Sequence, residues 1–285
     1  MKKTIAVLLT AGLFSTVQAQ EKSLLYEISG AGLSEPSYLY GTFHLLCPAD
    51  LQVSGAARKA MAAAKQVYLE LDLDDPSLQA SMLKAMVLTG GKSLRDFMSA
   101  EDYAALDAYM QRNLGSGLAS MGVLKPVAIL SAMYVSLLQC QPASYDLAFA
   151  ELAGKDKKDV FGLETVEEQM AVLDKIPLDK QLQSLVEIAR KPDEARKEVN
   201  DLLNAYKAQD LPLLMKLMRE SQFDGGTREF EDDLLDARNR AWIPLIEKAA
   251  RAKSTFFAFG AAHLGGPEGV VSLLRQKGYA VKALQ

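Results

Sequence analysis

Histidine is rare in this chain, and both of its histidines close the same short sequence pattern. His44 ends the segment SYLYGTFH and His263 ends the segment TFFAFGAAH, so Gly41 and Gly260 each stand three residues before a histidine. In both segments the histidine follows an apolar run typical of a β-strand. Imidazole is the commonest metal ligand and general base in proteins. Two matched histidines therefore predict one site to which both ends of the chain contribute.

Carboxylates that could complete this site also accompany strand-like segments. Glu70 lies inside the alternating segment 67–73, and Glu164 directly follows the short apolar segment 159–163. Two histidines with one or two carboxylates suit Zn, Mn, Fe or Co. We expect Glu70 rather than Asp72 to point into the site, because Glu70 lies nearer the middle of its predicted strand and reaches further. Two simpler interpretations stay open: Glu70 on the solvent side of an edge strand, and Glu164 as a first-turn acid favoured by a helix dipole.

Arg238 and Asn239 lie on a predicted helix shortly before the second histidine segment. Both could bind a substrate, or they could form salt bridges on an exposed helix face, because acidic residues surround them. In open α/β sheets, ligands bind at the carboxyl ends of the strands. Gly41 and Gly260 would lie there, and we predict that they let the chain turn sharply and a ligand approach the backbone closely.

The elements that must position the histidines repeat at the two ends of the chain. Each histidine segment is followed by a loop, a helix and a second strand, which predicts two strand–G-x-x-H–helix–strand units. Between these units, residues from about 77 to 255 have a mostly helical pattern, interrupted by the short strand at 159–163. The sequence therefore predicts an α/β fold with a small central sheet and a large helical middle. We expect residues 20–285 to form a single domain with this helical insertion.

The N-terminus has the pattern of a secretory signal peptide. Lys2 and Lys3 precede a short apolar run at 5–14, and small residues precede a predicted cleavage site after Ala19. We expect an exported protein in a bacterial periplasm, with no membrane span. The formal charge of −4 argues against nonspecific nucleic-acid binding. A peptide or a small molecule is the expected substrate, and the sequence indicates no oligomeric state.

Two cysteines, Cys47 and Cys140, follow the predicted cleavage site. They could pair in an oxidising compartment, and the bridge would then fix the loop after His44. Two buried free thiols are the alternative, and the compartment alone does not decide between them.

Taken together, these motifs resemble the TraB/PrgY/GumN family, whose animal members include the Tiki proteins, and in particular its secreted bacterial GumN-like branch. The resemblance covers essentially the whole chain after the predicted signal peptide. Its motifs are Gly41-Thr-Phe-His44, Leu69-Glu70-Leu-Asp72, Gly162-Leu-Glu164-Thr with Gln169, Arg238-Asn239 with Trp242, and Gly260-Ala-Ala-His263 with Gly266 and Gly269. The resemblance implies a fold related to the erythromycin-esterase and ChaN-like group, and a site built from both G-x-x-H motifs and the glutamate.

Three functions follow from this resemblance and the residues. Tiki proteins are regarded as metal-dependent proteases, which implies a metal-dependent hydrolase and foremost a peptidase. In that case His44, His263 and Glu70 hold a divalent ion, Glu164 is a further ligand or the general base, and Arg238 stabilises an oxyanion or grips a substrate carboxylate. ChaN-like relatives bind haem, so a non-catalytic periplasmic peptide- or haem-binding protein is the second function. The third is a metal-free esterase-like hydrolase with one histidine as base.

Overall fold

A computed structural model describes residues 22–223 and 227–285, so the predicted signal peptide at 1–19 lies outside the described residues. In chain order, the strands are β1 (Leu25–Ser29), β2 (Ser37–Thr42), β3 (Gln66–Leu69), β4 (Val160–Gly162), β5 (Thr255–Gly260) and β6 (Ala280–Leu284). They form one mixed sheet in the spatial order β4-β3-β5-β2-β1-β6. The predicted α/β class with a small central sheet is confirmed.

Helices cover the sheet and fill the middle of the chain. They are α1 (Gly55–Ala63), α2 (Leu78–Ala85), α3 (Ala100–Leu114), α4 (Leu118–Met121), α5 (Pro126–Leu138), α6 (Tyr145–Lys155), α7 (Val166–Leu173), α8 (Leu178–Arg190), α9 (Pro192–Lys207), α10 (Leu211–Glu220), α11 (Ala237–Ala252) and α12 (Val270–Gln276). Within the described ranges, no helix combines the length and the apolar character needed to cross a membrane.

The two histidine-bearing units interleave in the sheet. The first unit is β2, α1 and β3, and the second is β5, α12 and β6. Strand β5 pairs in parallel with both β2 and β3, so the second unit begins inside the first. Strand β4 extends the parallel set beyond β3, whereas β1 runs antiparallel to its neighbours β2 and β6. Every residue of β2 and β5 is buried, as expected of central strands that are covered on both faces.

The buried apolar side chains form two clusters that share α9. The larger cluster covers the sheet and includes Phe257 of β5 and Tyr206 of α9. The smaller cluster lies among α3, α5 and α8, and it includes Met133 of α5 and Ala195 of α9. Because α9 contributes to both clusters, it fixes the helical middle against the sheet.

One predicted strand boundary differs from the structure. The segment 67–73 was expected to be one strand, but β3 ends at Leu69, so Glu70 follows the strand instead of lying in its middle. The chain turns directly afterwards, where Asp75 N–H donates to Asp72 O at 3.3 Å, and aspartate is a favoured turn residue. The short strand predicted at 159–163 is present as β4, which interrupts the mostly helical middle and joins the sheet.

The loop after β2 is tied to the chain that leads into α6. Cys47 and Cys140 form a disulfide with their Cα atoms 5.8 Å apart, so the structure has the paired alternative and not free thiols. Next to it, Leu46 and Ala143 exchange two backbone hydrogen bonds of 3.0 and 2.8 Å. These links hold the loop after His44 beside the N-terminus of α6.

Candidate active site

Four of the predicted site residues lie just beyond the ends of four neighbouring parallel strands. His44 follows β2, Glu70 follows β3, Glu164 follows β4, and His263 lies in a 3-10 turn (Ala261–Leu264) directly after β5. Because these strands run in the same direction, their carboxyl ends share one edge of the sheet, where α/β proteins bind ligands. The interleaved topology therefore brings residues from both ends of the chain to one cleft.

Both histidines face the same oxygen of Glu70. The Nε2 atoms of His44 and His263 lie 3.6 and 4.0 Å from Glu70 Oε1, to which the Gly260 N–H also donates at 2.8 Å. Glu70 is 7% exposed and points into the cleft. Asp72 is not among the residues that line the cleft. The two histidines and the glutamate thus meet at one point, as the sequence predicts.

Asn239 determines the orientation of His263. The His263 Nδ1 atom lies 2.6 Å from Asn239 Oδ1, while Asn239 Nδ2 donates to the carbonyl of Glu268 at 2.9 Å. Because the amide oxygen can only accept, His263 carries its proton on Nδ1 and keeps the Nε2 lone pair for the cleft. The sequence predicts a substrate contact for Asn239, but the residue is 1% exposed and both its polar groups are used inside the protein. Its position is that of an orienting residue.

Asp146, in the first turn of α6, orients His44 in the same way. His44 Nδ1 donates to Asp146 Oδ2 at 2.9 Å, and Thr42 Oγ1 donates to Asp146 Oδ1 at 3.0 Å. Ser144 caps this helix and accepts from the Asp146 N–H at 3.1 Å. Sequence reasoning missed Asp146, because the one signal at that position is an ordinary helix start, a serine cap followed by an acid.

Arg238 uses all five of its N–H groups. Nε and Nη2 donate to Glu164 at 3.0 and 2.6 Å, and Nη2 also donates to Glu70 Oε2 at 2.8 Å. Nη1 donates to the carbonyl of Leu234 at 2.9 Å and to His263 Nε2 at 3.1 Å. A guanidinium has five donors, so a further acceptor requires that one of these bonds is released. The side chain is 13% exposed, which excludes the simpler interpretation of a surface salt bridge for Arg238.

Glu164 is held between Arg238 and Gln169. Gln169 Nε2 donates to Glu164 Oε1 at 3.0 Å and to Glu70 Oε2 at 3.3 Å. Gln169 lies on α7, whose capping box between Thr165 and its third helical residue is present as the sequence predicts. Glu164 is 6% exposed, so it is not a solvated first-turn acid. These contacts favour a role in holding Arg238, and the predicted role as ligand or general base stays a prediction.

The charges around Glu70 shift the pKa values of the site. Burial alone would raise the pKa of Glu70, but the positive charges of His44 and Arg238 and the Gly260 N–H lower it to about 2. Burial opposes protonation of His44, whereas the hydrogen bond to Asp146 and the charge of Glu70 raise its pKa to about 9. The His44 side chain is 58% exposed, so solvent screens part of this rise. The site therefore carries a firmly ionised carboxylate.

Trp242 forms the apolar wall behind His263. The two ring centroids are 4.5 Å apart, and the guanidinium carbon of Arg238 lies 4.8 Å from the centroid of the indole. Burial in this wall lowers the pKa of His263 to about 3. His263 is therefore neutral at ordinary pH, which is the form of imidazole that binds a metal.

The two motif glycines are required for space. A Cβ on Gly260 would lie 3.1 Å from His44 Nε2 and 3.3 Å from Glu70 Oε1, in the centre of the site. A Cβ on Gly41 would lie 2.6 Å from Leu264 Cδ1, within the packed core. Neither glycine has a positive φ angle, so close packing and not a left-handed backbone is the reason for glycine at both positions. The predicted ligand contacts of both glycines stay predictions.

The donor atoms fit a divalent ion of the Zn, Mn, Fe or Co class. Two imidazole Nε2 atoms face one carboxylate oxygen beside the space that Gly260 leaves. Both Nδ1 atoms have the second partners typical of ligating histidines. Ligand atoms around a tetrahedral ion lie roughly 3.4 Å apart, slightly less than the distances to Glu70. Among the described residues, no three or more His, Cys, Asp or Glu side chains are arranged closely enough to hold a metal ion as they stand. The hydrogen bond from Arg238 to His263 Nε2 accounts for part of the gap between the observed spacing and that of a filled metal site. It uses the lone pair that a metal needs.

The cleft has two halves, and His44 lines both. The apolar pocket has a volume of about 460 Å³ and is lined by Phe43, Tyr134, Leu138, Leu202, Leu214 and Met218, together with both histidines and Gly260. The carboxylate pocket has a volume of about 280 Å³ and is lined by Glu70, Asp146 and Gln169 together with Leu71, Leu73 and Leu147. A molecule that reaches the histidines therefore meets apolar surface on one side and carboxylates on the other.

The fold and the site define an α/β protein with a histidine–carboxylate centre at the carboxyl ends of parallel strands. The chain belongs to the TraB/PrgY/gumN family, whose model matches residues 24–283. The family resemblance of the sequence motifs is thereby confirmed.

Several curated relatives of the chain are named metalloproteases. Metalloprotease TIKI2 of Xenopus tropicalis is 26% identical over 301 residues, which cover 87% of this chain and 57% of the relative. Metalloprotease TIKI1 of Danio rerio is 24% identical, with coverages of 94% and 64%, and metalloprotease TIKI1 of Homo sapiens is 24% identical, with coverages of 93% and 62%. The chain thus spans less than two thirds of the length of these relatives. No solved structure shows significant similarity to the chain.

Proposed function

We propose that this protein is a metal-dependent hydrolase that cleaves peptide bonds. The observation that carries the proposal is the convergence of His44 Nε2 and His263 Nε2 on Glu70 Oε1, beside the space left by Gly260. The relatives named metalloproteases support the reaction class. The disulfide supports the predicted export to an oxidising compartment such as a periplasm.

The three donor residues have separate tasks in this proposal. When bound, a divalent ion supplies a Lewis acid for the scissile carbonyl and an activated water near neutral pH. His263 presents a neutral Nε2 atom, whereas His44 would release its Nε2 proton on binding an ion; Asn239 and Asp146 occupy the two Nδ1 atoms. Glu70 is ionised and buried, so its negative charge offsets the charge of the ion.

Arg238 is the residue that we propose to stabilise the oxyanion. The hydrogen bond from Arg238 Nη1 to His263 Nε2 uses the same lone pair that a ligand histidine must offer. When His263 binds an ion, that N–H becomes free to donate to an oxygen in the cleft. Glu164 and Gln169 keep the rest of the guanidinium in place during this exchange, so we assign them positioning roles.

Metal analysis tests the donor set without relying on turnover. We expect about one divalent ion per chain in protein purified without a histidine tag, and loss of that ion in His44→Ala and His263→Ala. Trp242 is the one tryptophan of the chain and lies 4.5 Å from the His263 ring, so its emission should change on metal addition. Folded protein that takes up Zn²⁺, Mn²⁺, Fe²⁺ and Co²⁺ no better than the double histidine variant would contradict the metal site.

Turnover of an unbiased peptide library separates the hydrolase from the alternatives. We expect cleavage that is lost in Glu70→Gln and after chelation, and that returns when metal is restored. Cleavage that survives both treatments would favour a metal-free hydrolase. Tight peptide or haem binding without cleavage by the metal-loaded protein would favour a binding protein.

A further inference from the structure

We propose that the apolar pocket is the specificity pocket of the enzyme, and that it takes a large apolar side chain next to the bond that is cut. This inference rests on the proposed peptidase function. It names the substrate class as peptides with a residue such as Leu, Met or Phe beside the scissile bond.

The first support is the position of the apolar pocket. Its lining includes His44, Gly260 and His263, which are the residues around the proposed reaction centre. An occupant of this pocket must therefore be part of the molecule whose bond lies at the histidines, or must lie directly against it. In an extended peptide, neighbouring residues are about 3.3 Å apart, so the pocket is within reach of the first residues beside the bond.

The second support is the chemistry of the pocket. Its volume of about 460 Å³ lies within the range typical of small-ligand sites. Its described lining contains no Asp, Glu, Lys or Arg, and α5, α9 and α10 each contribute side chains to the wall. A charged side chain would lose its hydration there without gaining a partner, whereas an apolar side chain gains from burial.

The third support is the contrast with the other half of the cleft. The carboxylate pocket shares His44 with the apolar pocket but adds Glu70 and Asp146. A free fatty acid would bring its own carboxylate next to these acids. A peptide is uncharged at the bond to be cut and so avoids this repulsion, which favours a peptide over a fatty acid as the occupant.

Two exposed side chains of α10 provide the test and its control. Met218 lines the apolar pocket and is 38% exposed, so Met218→Glu should place a charge in the pocket without unfolding the protein. Leu213 lies on the same helix, is 41% exposed and is not among the lining residues. Leu213→Glu adds the same charge outside the pocket. Met218→Trp, which is uncharged, narrows the pocket.

Mass spectrometry of peptide-library digests should first identify the residues that flank the cut bonds. We expect a large apolar residue on one side, and a leucine peptide should exceed its serine counterpart in kcat/KM by about 10- to 100-fold. Met218→Glu should remove this preference, Met218→Trp should shift it to smaller residues, and Leu213→Glu should leave it unchanged. A wild-type digest without apolar preference, or a preference that Met218→Glu leaves intact, would overturn the proposal.

A binding measurement separates failure of this inference from failure of the proposed function. If the wild-type protein cleaves no peptide, the peptidase proposal fails, and the same leucine and serine peptides can be compared by fluorescence polarisation. Tighter binding of the leucine peptide that Met218→Glu weakens still supports the pocket assignment. Binding of laurate, but of neither peptide, would overturn it in favour of a fatty-acid site.

Discussion

Each histidine owes its orientation to one neighbouring oxygen. Asn239 Oδ1 accepts the His263 Nδ1–H, and Asp146 Oδ2 accepts the His44 Nδ1–H. Both imidazoles therefore offer Nε2 to the cleft, and neither ring can turn without losing a hydrogen bond. Partners of this kind contribute to metal affinity although they never touch the ion.

The role of Asp146 can be measured through metal affinity. Asp146→Asn should lower the affinity for a divalent ion by about 10- to 100-fold, because an amide is a weaker acceptor for the imidazole N–H. Metal titration followed by the emission of Trp242 is the measurement. Glu151→Gln is a matched control, since Glu151 lies on the same helix with its side chain 74% exposed. Equal affinities in the two variants would show that Asp146 does not tune the site.

Gly260 and Gly41 should respond differently to the same added methyl group. Gly260→Ala places a Cβ 3.1 Å from His44 Nε2, so it should abolish metal binding while the melting temperature changes little. Gly41→Ala places a Cβ 2.6 Å from Leu264 Cδ1 in the core, so it should lower the melting temperature by several degrees. Thermal unfolding and metal titration of both variants test this contrast. A Gly260→Ala protein with full metal occupancy would contradict the proposed position of the ion.

Asp72 should make the protein less stable above pH 6. Burial and the neighbouring Asp74 raise its pKa to about 6, and one of its oxygens is buried without a hydrogen-bond partner among the described residues. The folded state thus retains a proton that the unfolded state has released, so stability falls as the pH rises from about 4 to about 6. Asp72→Asn should add about 1 kcal/mol at pH 7, after allowance for solvent screening, and nothing near pH 3. Denaturant unfolding at both pH values is the measurement, and an equal gain at both would contradict this cause.

At the scale of elements, the central strands are predictable from the sequence and the connections are not. Strands β2 and β5 are built on short runs of aromatic and aliphatic residues, 38–40 and 256–259, and such runs bounded by glycine predict buried strands by themselves. The alternation in 67–73 continues past the strand, however, because turn-forming aspartates end the pairing after Leu69. The position of α6 beside His44 depends on contacts distant in sequence, and no local pattern near Asp146 reports them.

The disulfide should stabilise both the fold and the site. It closes a loop with a sequence separation of 93 and holds the loop after His44 next to the helix that carries Asp146. The double variant Cys47→Ser/Cys140→Ser should lose up to about 4–5 kcal/mol of unfolding free energy. It should also bind metal more weakly, because His44 is less firmly oriented. Denaturant unfolding and metal titration are the measurements, and unchanged metal affinity in the folded double variant would confine the bridge to a role in stability.

At the scale of the whole molecule, the site links strands from both ends of the chain. An ion held by His44, Glu70 and His263 would connect β2, β3 and β5 and would bind the folded chain alone. Metal at 100 times its dissociation constant should then raise the unfolding free energy by about 2.7 kcal/mol. Thermal unfolding with and without metal measures this rise. The metal-dependent rise in unfolding free energy should be absent in His263→Ala. The same rise in that variant would show that the ion binds elsewhere.

The interleaved sheet also determines when during synthesis the candidate site can form. Ser37 begins β2, whose pairing partner β5 begins 218 residues later at Thr255, so β5 leaves the ribosome long after β2. Until β5 emerges, β2 and β3 have no strand between them, and the nascent chain has one histidine without the other. Such distant pairing slows folding, and it also means that a nascent chain without β5 holds only part of the candidate site.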